Sequence, residues 1–450
     1  NDPNGLSYYK GEYYIFFQWN PYGCEHKNKH WGIVKTKNFK DFSIPKIALT
    51  PKEYFDKDGC YSGGAIVKDG NLQVFYTGDV KGDKGERISY QCKGIFEENG
   101  QLKKIGPVIS TLPKGYTAHF RDPYIWENNG YYYMILGIQT EKLKGRCVIY
   151  KSSDLDDWKF YGELKTSYED FGFMWECPSF LKIDNKDIFI FSPQGIKEEE
   201  FRYQNIYQSG YLIGNLNYDT LEFKNNNEFK ELDMGFDFYA PQVFKDEKGR
   251  NILIGWMGLP EKEEFHCSRE NGWIFSLTMP RELTLKNGIL HQNPIEEMRK
   301  LRGDKIVSLK NTFIEYLNFS EVKENSYELK LDIERQEASK IEINFMKSDE
   351  EHTSLIYDFK KEICIIDRNS MINGEKGTRK FKLNSNGNLR INMFVDKSSV
   401  EIYFQDGIEA ASLKLYPKKD SFNLSLKSEE GKIKINSLNV WEINEVNYNE

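Results

Sequence analysis

Three acidic residues lie within two residues of a proline in short motifs of the first half of the chain. They are Asp2 in Asn-Asp-Pro-Asn-Gly, Asp122 in Arg-Asp-Pro and Glu176 in Glu-Cys-Pro. Proline restricts the backbone on both sides, so each side chain is held in a limited set of directions. Carboxylates that converge in one pocket can bind a hard cation such as Ca²⁺. They can also hydrolyse a glycoside, which needs a nucleophile or base and a separate proton donor.

The neighbouring residues favour a sugar over a metal ion. Asn1, Gln18 and Arg121 can form hydrogen bonds with hydroxyl groups, and no Asp-rich calcium loop is present. The aromatic side chains that could stack on sugar rings are Trp19, Trp31, Tyr61, Trp175 and Tyr239. Glycoside hydrolysis is therefore the leading interpretation, and a cation site and a non-catalytic sugar-binding protein are the alternatives.

The three carboxylates have different surroundings, which suggest different roles. Asp2 begins a strand after a short turn, so we expect it at the channel mouth as an ionised nucleophile. Glu176 lies between a tryptophan and a cysteine, where burial should raise its pKa as a general acid requires. Asp122 follows Arg121, which should keep it ionised and suited to stabilising an oxocarbenium-like transition state.

The strands that must position these residues recur at a nearly constant spacing. Five strand-like cores, each preceded by a turn signal, begin 60, 59, 56 and 64 residues apart. They are Glu12–Gln18, Leu72–Gly78, Tyr131–Gly137, Asp187–Ser192 and Asn251–Met257. A second candidate strand follows each core, the last of them being Trp273–Thr278. This spacing is typical of propeller blades and predicts five of them.

A polar residue precedes each of the five cores at a similar distance. These residues are Asp2, Ser62, Asp122, Glu176 and Asp237. In a propeller, equivalent positions on the innermost strands line the central channel. We therefore expect all five side chains to converge on one pocket.

The pattern changes near residue 292. Pro294–Arg302 predicts a short helix within a connector at 293–311, because proline suits the first helical turn and apolar residues follow at helical spacing. Short alternating strands over 312–450 predict a β-sandwich. The predicted fold class is all-β, with a five-bladed propeller over 1–292 followed by this sandwich. We interpret the sandwich as a supporting domain, with carbohydrate binding as the alternative.

The composition excludes other classes of partner. The 450 residues include 39% hydrophobic and 15% aromatic residues, and the net charge of −7 comes with no basic stripe that would suit nucleic acid. No apolar run is long enough to span a membrane. The seven scattered cysteines contain no paired spacing, which favours a reducing cytoplasm. We expect a small carbohydrate as the partner, with no metal and no cofactor.

The three carboxylate motifs also resemble those of a known family. Their order and sequence are similar to the signature motifs of glycoside hydrolase family 32, the invertases and fructan hydrolases. The resemblance implies a five-bladed propeller joined to a β-sandwich, net retention and no cofactor. It implies Asp2 as nucleophile, Glu176 as acid/base and Asp122 as transition-state stabiliser. The residues that it implies around the terminal fructosyl unit are Asn1, Gln18, Ser62 and Arg121.

Within this family, the chain looks most like the intracellular sucrose-6-phosphate hydrolases. The supporting stretches are Phe191–Gly195, Asn205–Tyr207 and Gly255–Pro260, together with His26. The resulting interpretation is a retaining β-fructofuranosidase that acts on sucrose or sucrose 6-phosphate in the cytoplasm. The alternatives are hydrolysis of short inulin- or levan-type fructans, fructosyl transfer, and fructan binding without catalysis.

Substrate choice depends on the leaving-group side of the pocket. The positions that depart from the family pattern, and that we expect on this side, are Ile33, Gly64, Tyr124 and Ser179. A phosphate group would need cations nearby. The candidates are His26, Lys27, Lys29 and His30, and a solvated basic loop is the alternative.

Overall fold

The computed structural model describes residues 1–97 and 101–449 and confirms the predicted all-β fold. Five antiparallel sheets form the blades of a propeller. The first blade contains β1 (Pro3–Tyr9), β2 (Glu12–Trp19), β3 (His30–Thr36), β4 (Asp41–Ser43) and β5 (Lys46–Leu49). The second contains β6 (Gly59–Lys68), β7 (Asn71–Lys81), β8 (Arg87–Phe96) and β9 (Leu102–Ile109). The third contains β10 (Tyr116–Asn128), β11 (Tyr131–Thr140), β12 (Gly145–Ser152) and β13 (Lys159–Glu163).

The remaining two blades carry an extra short strand each. The fourth contains β14 (Met174–Ile183), β15 (Lys186–Gln194), β16 (Gly210–Asn217), β17 (Glu222–Asn225) and β18 (Lys230–Glu231). The fifth contains β19 (Tyr239–Lys245), β20 (Asn251–Met257), β21 (Ser276–Leu277), β22 (Arg281–Lys286) and β23 (Ile289–Pro294). The predicted strand Trp273–Thr278 is mostly wrong: only β21 forms there, after the 3-10 helices Glu263–Phe265 and Cys267–Asn271.

The innermost strands close into a ring in the order β1, β6, β10, β14, β19 and back to β1. The side chain of Gln242 on β19 helps to join three of these strands. Its Nε2 donates to the carbonyl of Gly63 on β6 at 2.8 Å, and its Oε1 accepts from the backbone N–H of Leu6 on β1 at 3.1 Å. Because Gln242 is buried, these bonds satisfy polar groups that water does not reach.

Every innermost strand carries a β-bulge where it pairs with the second strand of its blade. At this point two residues of the innermost strand oppose one of its neighbour, and the residues immediately before the bulges are Asn4, Cys60, Arg121, Glu176 and Tyr239. A bulge bends the strand and re-aims its side chains. The bulges therefore place Arg121, Glu176 and Tyr239 at equivalent positions. At the bulges, Glu176 is equivalent to Arg121 and not to Asp122, so the predicted equivalence of Glu176 with Asp122 is wrong by one residue.

The connector is shorter than predicted. A 3-10 helix occupies Glu296–Leu301, and β24 begins at Arg302, within the expected connector 293–311. One sheet of the sandwich contains β24 (Arg302–Ile314), β26 (Tyr327–Arg335), β31 (Asn388–Asp396), β32 (Ser399–Phe404), β33 (Glu409–Lys414) and β35 (Ile433–Ile443). The other contains β25 (Tyr316–Asn318), β27 (Lys340–Lys347), β28 (Thr353–Asp358), β29 (Ile363–Asp367), β30 (Thr378–Lys382) and β34 (Asn423–Glu429).

The last described strand ties the end of the chain back to the propeller. This strand, β36 (Asn447–Asn449), pairs in parallel with β4 at the edge of the first blade. A final 3-10 helix, Gln405–Gly407, lies between β32 and β33. Among the described residues, no helix is long and apolar enough to cross a membrane.

A buried ion network holds the propeller against the sandwich. Arg281 on β22 is fully buried, and its Nη2 donates to Asp233 and to Glu401 on β32, both at 2.9 Å. The same nitrogen donates to the hydroxyl of Ser412 on β33 at 2.7 Å. Removing one partner from such a network leaves an uncompensated buried charge, which costs about 3–5 kcal/mol. This network fixes the propeller and the sandwich relative to each other.

Candidate active site

Asp2 is fixed by contacts to its own blade and the next one. Ser62 on β6 donates its hydroxyl to Oδ2 of Asp2 at 2.5 Å. The backbone carbonyl of Asp2 accepts from the N–H of Gln18 at 2.9 Å. The Gln18 side chain is buried, and its Nε2 donates to the carbonyl of Cys60 at 2.9 Å. The structure thus brings Asp2, Gln18 and Ser62 together, as predicted.

Glu176 is held through both of its carboxylate oxygens. Arg121 donates to Oε1 from Nε at 2.9 Å and from Nη2 at 2.6 Å. Oε2 accepts from the hydroxyl of Tyr239 at 2.7 Å and from Nε2 of Gln194 at 2.9 Å. In the sequence, Gln194 stood out only as part of the stretch Phe191–Gly195, and its place in the site was not predicted. The available sequence signal was its position two residues after the predicted core Asp187–Ser192. In the structure this is the end of β15, where Gln194 pairs with Met174 at the start of β14.

Asp122 lies where the second, third and fourth blades meet. Its Oδ2 accepts from the backbone N–H of Cys177 at 3.0 Å and lies 3.7 Å from the thiol of the same residue. Its own backbone N–H donates to the hydroxyl of Thr77 at 3.1 Å. Asp122 itself adopts the left-handed conformation, with φ of 65°, at the bulge of β10. Such strain persists only where the surroundings enforce it, which is common at functional sites.

The pKa shifts of the buried Asp122 and the partly buried Glu176 are opposite to those expected. Burial raises the pKa of Asp122 to about 7, and Arg121 only partly opposes this effect. Burial also pushes the pKa of Glu176 upward, but Arg121 and Tyr239 outweigh it and hold that pKa below its usual value. The reason is geometric: the Arg121 guanidinium lies 2.6 Å from Glu176 but 4.0 Å from Asp122.

A second group of polar residues lies beside Asp2. Lys29 contacts Nε2 of His26 at 2.9 Å, and the Asn1 amide lies 3.0 Å from Nδ1. The Lys29 charge lowers the pKa of His26 to about 2, so the imidazole is neutral. Its ring lies parallel to that of Trp256, with centroids 5.9 Å apart. The Lys29 ammonium also lies 4.7 Å from the centre of the Tyr61 ring.

Asp237 does not join the other four predicted channel residues. It is buried at the boundary with the sandwich, where its Oδ2 accepts from Arg368 at 3.1 Å. The fifth blade instead supplies Tyr239, two residues later. Asp237 lies farther from its core strand than the other four residues do, so the sequence spacing alone aligned the wrong residue.

The four departures from the family pattern lie within the blades. Ile33 packs against the core of the first two blades, and Tyr124 packs among the aromatic residues of the third and fourth. Gly64 and Ser179 are buried. These contacts do not support the expected position on the leaving-group side. Among the described residues, no group of three His, Cys, Asp or Glu side chains could hold a metal ion.

Three carboxylates on or beside the innermost strands of a five-bladed propeller define the class of this protein as a glycoside hydrolase. Residues 1–294 match the family model "Glycosyl hydrolases family 32 N-terminal domain", and residues 297–442 match "Glycosyl hydrolases family 32 C terminal". The chain therefore belongs to glycoside hydrolase family 32.

Similar proteins extend over nearly the whole chain. A sucrose-6-phosphate hydrolase of Bacillus subtilis is 38% identical, over 98% of this chain and 91% of the relative. The structure of a sucrose-6-phosphate hydrolase from Lactobacillus gasseri superimposes with a TM-score of 0.91 at 30% identity, over 99% of this chain and 91% of that one. The structure of a mutant Bombyx mori β-fructofuranosidase in complex with sucrose superimposes with a TM-score of 0.85 at 30% identity, over 100% of this chain and 92% of that one.

The pKa of Asp122 predicts a pH-dependent stability. The folded state binds this proton more tightly than the unfolded chain, whose Asp has a pKa of about 4. Stability from this group is therefore present below about pH 4 and is lost as the pH rises through about 7. Asp122→Asn removes the titration and keeps an oxygen that can accept from the Cys177 N–H. We expect this variant to raise Tm relative to wild type, and by more at pH 8 than at pH 5.

Thermal unfolding at the two pH values measures this difference. The control is Asp170→Asn, which changes a carboxylate whose side chain is 82% exposed and should leave the difference near zero. A gain in Tm for Asp122→Asn that is the same at pH 5 and pH 8 would show that the carboxyl is not proton-binding in this range.

Proposed function

We propose that the chain is a retaining β-fructofuranosidase that releases the terminal fructosyl unit of sucrose or sucrose 6-phosphate. The observation that carries this proposal is the separate fixation of Asp2 and Glu176. Asp2 accepts a hydrogen bond from the Ser62 hydroxyl, whereas Glu176 is held by Arg121, Tyr239 and Gln194. One carboxylate is thus available for attack and the other for proton transfer. The Bombyx mori complex with sucrose supports this substrate class.

The reaction divides into two displacements at the anomeric carbon, C2, of the fructosyl unit. In the first, Asp2 forms a bond to C2, the bond from C2 to the glucosyl oxygen breaks, and Glu176 gives that oxygen a proton. In the second, a water molecule attacks C2, Glu176 takes its proton, and the bond to Asp2 breaks. The bond from Ser62 holds the Asp2 carboxylate in one orientation for attack.

Arg121 and Asp122 support these steps by charge. A fructosyl hydroxyl that accepts from Arg121 removes part of the stabilisation of the Glu176 anion, so substrate binding raises the pKa of this acid. The positive charge that develops on the sugar ring favours the anionic form of the buried Asp122. We propose Asn1, Gln18 and Tyr61 as further contacts to the substrate, because they lie beside Asp2 and Lys29.

The assigned roles predict different responses to two substitutions. Glu176→Gln should lower kcat on sucrose by about 10²- to 10⁴-fold, because the leaving group receives no proton. The leaving group of an aryl β-fructofuranoside needs less protonation than that of sucrose, and azide can attack the covalent intermediate without a general base. An aryl substrate together with azide should therefore restore much of the rate of Glu176→Gln. Asp2→Asn should lose activity on both substrates, with or without azide.

Steady-state kinetics with the two substrates measures these responses. Glu163→Gln is the matched control, because Glu163 also accepts from a tyrosine, Tyr116 at 2.6 Å, but lies on an outer strand of the third blade. Unchanged sucrose hydrolysis by Glu176→Gln would contradict the assignment of the acid.

A basic cavity next to the site favours a phosphorylated substrate. This cavity of about 540 Å³ is lined by Tyr61 and His26, and its lysines are Lys27, Lys29, Lys57 and Lys81. Among the described residues, no carboxylate lies within 4.0 Å of these four ammonium groups. Its two aspartates have other partners: Asp79 pairs with Arg87, and Asp58 accepts from the backbone N–H of Lys81.

We propose that these lysines bind the phosphate of sucrose 6-phosphate. The names of the Bacillus subtilis and Lactobacillus gasseri relatives support this choice. We also propose a cytoplasmic location, where thiols stay reduced, because all seven cysteines are free thiols in the structure.

The basic cavity predicts a selective loss of activity. A Lys57→Met/Lys81→Met variant should lower kcat/KM for sucrose 6-phosphate by about 10-fold or more, since a bond to a charged group contributes about 1.5–3 kcal/mol. Its kcat/KM for sucrose should remain unchanged. Lys361→Met, on the sandwich surface, is the control. An equal change for both substrates would show that the cavity does not recognise phosphate.

A further inference from the structure

The segment just before the fifth blade is bound to the sandwich like an extra strand. The backbone N–H of Met234 donates to the carbonyl of Ala410 at 2.7 Å, and that of Phe236 donates to the carbonyl of Ser412 at 3.0 Å. Both acceptors lie on β33. The chain therefore passes directly from a sandwich-bound segment into β19, which begins at Tyr239.

Phe236 anchors this segment in the other domain. Its side chain is fully buried within the sandwich core. The guanidinium groups of Arg368 and Arg379 lie 3.8 Å and 4.1 Å from the centre of its ring. Cations at this distance from an aromatic ring add to the stabilisation from burial.

Asp237 links this anchor to the active site. Its Oδ2 accepts from Nη1 of Arg368 at 3.1 Å and from the backbone N–H of Lys414 at 2.8 Å. Two residues later, the Tyr239 hydroxyl donates to Oε2 of Glu176 at 2.7 Å. Ala240 then adopts the left-handed conformation at the bulge, with φ of 46°, so little freedom remains between the ion pair and the tyrosine.

We propose that Asp237 and Arg368 are positioning residues, through which the sandwich sets the place of Tyr239 and thereby the orientation of Glu176. This inference rests on the proposed function, in which Glu176 is the acid/base. It makes the sandwich a part of the catalytic apparatus. From the sequence, the sandwich was expected to be a supporting domain and Asp237 was expected in the channel.

The expected pH response follows from the charged groups around both residues. Those around Asp237 are Arg368, Lys414 and His266, and Glu375 binds the other side of Arg368. Those around Glu176 are Arg121, Asp122, Tyr239 and Lys29. The bond from Tyr239 lowers the pKa of Glu176. Displacing Tyr239 should therefore raise that pKa and move the alkaline limb of kcat/KM to higher pH.

The test is a double-mutant cycle between Arg368→Met and Tyr239→Phe, with sucrose as substrate. We expect Arg368→Met to lower kcat by about 10- to 100-fold, to change KM little, and to move the alkaline limb in the direction that Tyr239→Phe moves it. Since both act through one hydrogen bond, the double variant should be no slower than Tyr239→Phe alone. Arg368→Lys should recover part of the rate.

Lys230→Met provides the matched control. Lys230 also forms an ion pair between the two domains, with Glu409 on β33 at 2.8 Å, but does not contact residues 237–239. Lys230→Met should lower Tm without moving the alkaline limb of kcat/KM. If Arg368→Met does not fold, Asp237→Asn replaces it in the cycle, because its side-chain oxygen can still accept from the Lys414 N–H.

Two results separate failure of the inference from failure of the proposed function. If Tyr239→Phe moves the alkaline limb but Arg368→Met and Asp237→Asn change only Tm, the positioning role is wrong. If the reductions in kcat caused by Arg368→Met and Tyr239→Phe multiply in the double variant, the positioning role is also wrong. If Tyr239→Phe leaves the limb in place and Glu176→Gln retains activity, the assignment of Glu176 fails, and the positioning role fails with it.

Discussion

Closure of five sheets into a ring is the constraint on which the rest of the structure depends. It brings β1, β6, β10, β14 and β19 to one channel, and each of them carries a β-bulge where it pairs with the second strand of its blade. Groups that are remote in the sequence therefore meet within hydrogen-bond distance, as Arg121, Glu176 and Tyr239 do. Because these groups are buried, each needs a partner, and the partners restrict their orientation.

The same constraint explains how far the sequence could predict the site. Turn signals and a repeat near 60 residues were enough to place β2, β7, β11, β15 and β20, because these patterns are local. The carboxylate motifs identified Asp2, Asp122 and Glu176 for the same reason. The bulges could not be predicted, since a one-residue change in pairing leaves no clear sequence signal. Hence Asp237 was aligned with the channel in place of Tyr239.

Electrostatic details depended on geometry that no motif contains. The Arg-Asp-Pro motif suggested that Arg121 pairs with its neighbour Asp122, but the bulge directs its guanidinium to Glu176 on the next blade. Burial raises the pKa of both carboxyl groups, and the proximity of Arg121 to Glu176 outweighs this effect only there. The sandwich likewise has no catalytic motif, yet Asp237 binds it through Arg368 and Lys414 only two residues from the site.

The central claim, that Asp2 forms a bond to the fructosyl carbon, can be tested by trapping. Glu176→Gln incubated with an aryl β-fructofuranoside should form the covalent intermediate faster than water removes it. After acid quenching and proteolysis, mass spectrometry should find one added fructosyl unit on the peptide that contains Asp2. A fructosyl unit on a peptide containing Asp122 or another residue, or release of the aryl group with no modified peptide, would contradict the account.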